Sequence, residues 1–345
     1  MKSLVKTMVD MRSDTLTKAS PGMRDAMRDA VVGDDVFGED PTVDELQQEA
    51  ARLVGMSAAL FVPSGTMGNL IAILSHCRPG DELLVGENAH SFLYEGGGPA
   101  ALAGVTIRVL PGGGFFSPET LREELHAPDP SGHLAPSRLV MVENTHNRGG
   151  GRVLSPVKFQ AISEVAKAAS LSLHIDGARL WNAATALSES PASWGQHADS
   201  LTFCLSKGLG APVGSMLCGD EAFIRRAHRF RKMLGGGMRQ VGHLAAAGLY
   251  ALREQRKDLA EDHRRARALA EHIHTCPGLE VDLTSVESNI VIFRPTQLSP
   301  VALCEQLSDR LLLCPFGPDG VRAVLHRDID DDGLQRACEA LSSLP

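Results

Sequence analysis

The sequence predicts an α/β fold, with a large domain on an open, mostly parallel sheet and a smaller α+β domain after it. Three observations carry this. From about residue 42 to residue 222, short apolar runs alternate with stretches of helix-type spacing, the pattern of strands joined by crossover helices. Near Gly242 the pattern changes, and residues 244–273 become rich in Ala, Leu, Arg and Glu. That stretch reads as a long helix with one break. Finally, 345 residues exceed what one small core fills and suit two unequal domains.

The strand candidates of the large domain are residues 58–62, 82–85, 106–110, 139–142, 171–175 and 201–205. Each is a short apolar run, and residues 44–54 and 159–169 carry helical spacing between them. In the smaller domain, strands are expected near 279–281, 289–293 and 321–325, covered by helices over 301–311 and 333–341. The division is a segment 1–20, a large domain 21–245 and a small domain 246–345 that begins with the long linking helix. No internal repeat is visible, and the one low-complexity stretch is the loop 127–137.

Composition narrows the function. Hydrophobic residues make up 43% and charged residues 22%, which describes a globular chain. A net charge of −8 argues against nucleic acid as the main partner. No segment has the apolar length to span a bilayer, and residues 1–8 lack the apolar core of a secretory signal. The seven cysteines are scattered without a Cys-x-x-Cys pair and read as small buried hydrophobes, which fits a reducing compartment and a cytoplasmic protein. The zinc-protease, P-loop and dinucleotide fingerprints are absent, and no metal is expected.

The chemistry concentrates at strand ends. Ser206-Lys207-Gly208-Leu209-Gly210 follows an apolar run, placing one lysine where a buried strand meets a glycine-rich turn. A lysine withdrawn from water there can lose its proton and attack a carbonyl. Upstream, the run Leu171-Ser172-Leu173-His174-Ile175 delivers Asp176. Pyridoxal 5'-phosphate (PLP) chemistry needs such a pair. The lysine holds the aldehyde as a Schiff base, and the acid keeps the pyridine nitrogen protonated. Either residue alone would read as a turn cap or a solvated side chain; two at the ends of two apolar strands make that the weaker reading.

Other motifs fit around them. Pro63-Ser64-Gly65-Thr66-Met67-Gly68-Asn69 joins a strand to a helix, where small residues and free amides favour a phosphate. An ordinary N-cap would look similar in isolation. His90 and His146 each follow a strand, and an imidazole there can stack on a pyridine face or carry a proton. Arg179, three residues after Asp176, is placed to reach the cofactor's phenolic oxygen. The basic run from Arg225 to Lys232 is an ordinary solvated face, but Gly235-Gly236-Gly237-Met238-Arg239 suggests backbone shaped around a ligand, with Arg239 near the phosphate.

With these blocks in view, the chain resembles the low-specificity L-threonine aldolases, PLP enzymes of the aspartate-aminotransferase fold type. The similarity runs from Met11-Arg12-Ser13-Asp14-Thr15 through Gly33 to Thr42, Pro63 to Asn69, Glu143 to Asn147, His174 to Arg179, Ser206 to Gly214 and Arg231 to Gln240. It ends at Val321-Arg322-Ala323-Val324-Leu325-His326. The resemblance implies a seven-stranded sheet and a first segment that contributes to the active site. It implies that Lys207 bonds the cofactor, Asp176 pairs with the pyridine nitrogen, His90 stacks on the ring, and Ser64, Gly65, Thr66 and Met67 hold the phosphate. Ser13 and Arg322 would grip the substrate carboxylate, with Arg179, Tyr94 and Lys232 completing the substrate side. Lys232 and Arg239 would lie at a subunit interface, implying a homo-oligomer, a tetramer built as a dimer of dimers with shared active sites. Leu325, where a threonine is expected, and Tyr94, where some relatives carry phenylalanine, depart from the pattern and bear on substrate preference.

The implied reaction is retro-aldol cleavage of L-threonine and L-allo-threonine to glycine and acetaldehyde, with His90, His146 or a water they hold as base. The alternatives are an aldolase for another β-hydroxy amino acid, such as phenylserine, and a catalytically silent PLP-binding homologue.

Overall fold

In the computed structural model, which describes residues 8–126 and 129–344, the apolar runs of the first two thirds form one sheet. Residues 1–7 of the expected first segment, Ala127 and Pro128 in the expected loop, and Pro345 lie outside the described residues. After a short β1 (Val9–Asp10), the sheet takes β2 (Ala58–Val62), β3 (Glu82–Gly86), β4 (Thr106–Leu110), β5 (Ser137–Glu143), β6 (Ser172–Asp176), β7 (Ser200–Cys204) and β8 (Ser215–Gly219). Their order across the sheet is β2-β8-β7-β6-β5-β3-β4. Only β8 runs against its neighbours; all other pairs are parallel. The expected mostly parallel, seven-stranded sheet is present.

The strand β8 has no counterpart among the apolar runs picked out above. Ser-Met-Leu-Cys-Gly is short and bounded by small residues, so its period is faint. Its direction follows from its connection. Parallel neighbours need a long crossover, whereas the turn after β7 leads straight back. The Gly210 N–H donates to the Lys207 carbonyl at 2.8 Å, the Leu205 N–H to the Gly214 carbonyl at 3.0 Å, and both glycines have positive φ.

Helices cover both faces, so β3, β7 and β8 are buried along their whole length. The helix expected from residue 44 begins at Pro41, because Asp40 caps it by accepting from the Thr42 and Val43 N–H groups. The helix expected from residue 159 begins at Pro156, behind a Ser155 cap. In both cases a proline suited to the first turn lies ahead of the first apolar residue. The long helical stretch breaks after Gly242–Tyr250, passes through π and 3-10 turns over Ala251–Asp258, and resumes as Leu259–Thr275.

The rest of the chain builds a second layer from β9 (Leu279–Glu280), β10 (Ile290–Pro295), β11 (Leu311–Leu312), β12 (Cys314–Phe316) and β13 (Gly320–Val324). Here β12-β13-β10-β9 form an antiparallel sheet, while β11 pairs in parallel with β1. The short β11 and β12 were not anticipated. One apolar cluster joins Phe61, Phe159, Trp194, Phe203 and Leu259. A separate one joins Val9, Met11, Leu269, Phe293 and Leu325. The chain's first described residues therefore pack with its last strands. No helix among the described residues is long and apolar enough to cross a membrane.

Candidate active site

Parallel strands bring their carboxyl ends to one edge, and the polar residues gather there. Asp176 ends β6 and is 2% exposed. Its Oδ2 accepts from Asn69 Nδ2 at 2.9 Å and its Oδ1 from the Ala178 N–H at 3.2 Å. Lys207 stands three residues beyond β7. Its carbonyl is pinned by the Gly210 N–H and by Thr17 Oγ1, both at 2.8 Å. The lysine side chain lines a cavity of about 400 Å³ with Ser13, His90, Tyr94, Arg179 and Arg322. These six residues, drawn from both ends and the middle of the sequence, are brought together.

The loop after β3 supplies His90. Its N–H donates to Glu143 Oε2 at 2.8 Å, and its Nδ1 lies 3.0 Å from Glu95 Oε1. Burial lowers the proton affinity of His90, but the Glu95 bond and the Asp176 charge outweigh it, so its pKa rises above the ordinary value. Burial also raises the carboxyl pKa of Glu95, with the Asp176 charge adding to it. Asn69 Nδ2 donates to Glu95 Oε1 as well as to Asp176, both at 2.9 Å, so one amide bridges the two acids.

Behind Asn69 runs a buried polar row. Asn69 Oδ1 is 3.3 Å from His174 Nε2, His174 Nδ1 is 2.8 Å from Ser200 Oγ, and Ser200 Oγ is 2.8 Å from His76 Nε2. Burial holds His174 well below its ordinary pKa, so it is neutral. The arrangement that satisfies every atom has His76 donating to Ser200, Ser200 to His174, and His174 to the Asn69 carbonyl. That locks the amide with its N–H groups toward Asp176 and Glu95. His90, Glu95 and Asp176 offer ligand atoms within 4.8 Å of one another, a spacing that could suit a metal ion. Amide hydrogens aimed into the same carboxylates favour a hydrogen-bonded assembly there instead.

The arginines divide their work. Arg179 donates from Nε and Nη2 to the two oxygens of Asp14, each at 2.7 Å. Burial penalises Asp14, but this fork more than offsets it and keeps the carboxyl well below the usual range. Arg322, from β13, donates from Nη1 to Asn147 Oδ1 at 3.0 Å and from Nη2 to the Arg12 carbonyl at 3.1 Å. Its buried Nε has no partner among the described residues. Ser13 caps the turn Asp14–Leu16, accepting from the Thr15 N–H at 3.2 Å.

Ser64 caps the helix Gly65–His76 through the Met67 N–H at 3.2 Å. The first turn leaves the Gly65 and Thr66 amides without intrahelical acceptors. A Cβ on Gly65 would stand 2.9 Å from Cys204 Sγ at the end of β7, so glycine permits this close approach. Met67 lies against Gly236. An amine, a buried carboxylate, an imidazole and a helix start at one sheet edge are the donor set that PLP requires, and these residues fit it.

Three residues picked out from the sequence lie elsewhere. His146 is buried away from the cavity lining, with Nδ1 accepting from the Gly149 N–H at 2.9 Å and Nε2 donating to the Glu87 carbonyl at 3.1 Å. Neither ring nitrogen is free to take a substrate proton. Arg239 is exposed and donates to Asp34 Oδ2 at 3.0 Å, beside the exposed Phe37, and Lys232 is exposed as well. Conversely, Asp14, Asn69, Glu95 and His174 were not assigned roles from the sequence. A polar Asn69 opening the apolar run Leu70-Ile71-Ala72-Ile73, and His174 inside an apolar strand, were the available signals.

The family model described as beta-eliminating lyase matches residues 10–296. The chain is 42% identical over 333 residues to low-specificity L-threonine aldolase 1 of Arabidopsis thaliana, covering 94% of this chain and 93% of that protein. It is 42% identical over 327 residues to the low specificity L-threonine aldolase of Escherichia coli K12, covering 95% and 96%. A solved structure of Leishmania major threonine aldolase superposes with a TM-score of 0.83 at 20% identity, covering 96% of this chain and 98% of that one, so the two share a fold. The chain belongs to the beta-eliminating lyase family, and within it to the low-specificity L-threonine aldolases.

Proposed function

We propose that this protein is a PLP-dependent carbon–carbon lyase that cleaves L-threonine, and L-allo-threonine, to glycine and acetaldehyde. One observation carries the reading: Lys207 and the buried Asp176 stand beyond or at the ends of adjacent parallel strands, Lys207 lining a cavity with Arg322 and Asp176 lying behind the His90 that also lines it. PLP, when bound, supplies an aldehyde for an amine and a ring that accepts the electron pair released at Cα.

The chain's own residues do the rest. Lys207 would offer the amine, Asp176 would keep a proton at the ring nitrogen, and the Gly65 and Thr66 amides with Ser64 would receive the phosphate. Arg322 and Ser13 would hold the α-carboxylate, and such a grip would orient the substrate at Cα. His90 gives the cavity an imidazole whose Nδ1 is tied to Glu95, leaving Nε2 to receive the β-hydroxyl proton. Its raised proton affinity suits that task.

Trapping with borohydride, followed by peptide mapping, tests the site. Label on Lys207 and glycine release from threonine are expected; label elsewhere defeats the reading. A second reading, preference for phenylserine, draws on Tyr94 and Phe316 in the cavity lining, and kcat/KM across the substrates separates the two. A catalytically silent homologue would show cofactor absorbance without glycine release.

A homotetramer, built as a dimer of dimers, belongs to the same reading. It draws on exposed Phe37, Met233 and Arg239, which lie outside this chain's own cavity lining; sedimentation velocity tests it. A cytoplasmic location draws on seven free cysteines. In that setting the reaction would consume threonine and supply glycine.

A further inference from the structure

The cavity beside Lys207 holds more positive charge than threonine consumes. Four cationic side chains line it, Arg148, Arg179, Lys207 and Arg322, and among the described residues no carboxylate side chain does. Asp14 neutralises Arg179 from behind through its two hydrogen bonds. Lys207 is committed to the cofactor aldehyde, and Arg322 to the substrate α-carboxylate. Arg148 is left over.

Arg148 follows Asn147 in the loop after β5. Its guanidinium carbon lies 4.6 Å from the centroid of the Phe316 ring, and that of Arg322 lies 4.8 Å from the same centroid. One aromatic ring therefore spaces two guanidinium forks along a single cavity. A guanidinium stacked on a ring keeps its N–H edge free, and that edge matches a carboxylate in bidentate geometry. Arg322 already spends two of its nitrogens on Asn147 and Arg12. Arg148 makes no hydrogen bond or ion pair with any described residue.

Threonine presents one carboxylate and a β-methyl group. Replacing that methyl by a carboxylate keeps the four-carbon skeleton and adds the second negative charge. We propose that Arg148 forms an anion subsite for the side-chain carboxylate of a β-hydroxy dicarboxylic amino acid, β-hydroxyaspartate being the smallest, and that this class is also a substrate. The inference rests on the aldolase reading above. The Cα–Cβ bond breaks and its electron pair stays at Cα. The β-hydroxyl proton passes to His90, and Cβ becomes the aldehyde carbon of glyoxylate. Cα then takes a proton to give glycine, so no oxidant or reductant is needed.

Glycine release from L-threonine and from β-hydroxyaspartate is measured on the PLP-loaded wild type, Arg148→Met and Arg148→Lys. The ratio of kcat/KM, β-hydroxyaspartate over threonine, is expected to fall about tenfold or more in Arg148→Met, because a site built to pair a polar group discriminates strongly once the pair is lost. Arg148→Lys, which keeps the charge but loses the fork, is expected between them. An unchanged ratio overturns the proposal, as does a wild type that releases glycine from threonine alone. Titration calorimetry with succinate, against butyrate as the singly charged control, gives a readout independent of turnover. Succinate binding is expected to weaken by a similar factor in Arg148→Met, and indifference to that change overturns the subsite. If neither amino acid is cleaved while succinate still depends on Arg148, the aldolase reading fails and the subsite stands.

Discussion

Asp176 lies almost wholly out of water, and what keeps its carboxylate in place is the Asn69 amide and one backbone N–H. Asp176→Asn removes the charge while keeping the shape, so turnover of threonine is expected to fall about a hundredfold or more in a steady-state assay. The partner acid works through His90. The proton affinity of His90 is raised in the folded protein, so its contacts with Glu95 and Asp176 stabilise the fold below the ordinary histidine value. That contribution is lost as pH rises through the raised folded value. A base must be neutral to accept a proton, so with His90 in the proposed role the acid limb of kcat/KM against pH is expected to follow this pair. Glu95→Gln is expected to move that limb to lower pH; a limb that stays put removes His90 from the role of base. Lys207 and Asp176 were legible in the sequence because each follows an apolar run and ends it. Their supports were not. Asn69 meets Asp176 across 107 positions and Asp14 meets Arg179 across 165, and no local period records such distances.

At the scale of elements, the helix Leu259–Thr275 passes directly beneath the turn that carries Lys207. A Cβ on Gly208 would stand 2.9 Å from Leu259 Cδ2 and 4.0 Å from Asp262 Oδ2. Asp262 is buried, neither carboxyl oxygen has a hydrogen-bond partner among the described residues, and burial pushes its pKa up to about 7. Because the folded value exceeds the unfolded one, the acid costs nothing below the ordinary carboxylate range. The cost grows as pH rises and is complete above about 7. Asp262→Asn is therefore expected to raise the melting temperature relative to wild type more at pH 8 than at pH 5. Equal differences at both pH values would mean that the carboxyl is already ionised at low cost. The two halves of this helical stretch and a break between them were visible in composition, but the break's place at Ala251–Asp258 and the second half's position under Lys207 were not. Likewise six strands of the large sheet announced themselves as apolar runs. The five residues of β8 did not, since their direction and burial come from the turn before them.

Across the whole molecule, two apolar clusters meet within one helix, the first reaching Leu259 and the second taking up at Ala266. Helical periodicity cannot reveal such a change of partner, because the same face stays apolar throughout. Leu269 is buried in the second cluster. Leu269→Ala is expected to cost about 2–5 kcal/mol in denaturant unfolding. It is also expected to raise KM for threonine more than it lowers PLP absorbance, since β13 carries Arg322 while the cofactor residues belong to the large sheet. A variant that loses both together would mean that the two layers fold as one unit.

The pairing of β1 with β11 also sets an order of events. Arg322 reaches back 310 positions to the Arg12 carbonyl, and the Val324 N–H bonds Met11. A chain growing on the ribosome thus completes Lys207, Asp176 and the start of the helix Gly65–His76 well before Arg322 can meet Arg12. On the proposed roles, the residues that would hold the cofactor are made first, whereas the grip on a substrate carboxylate has to wait until Arg12 and Arg322, 310 positions apart, have met.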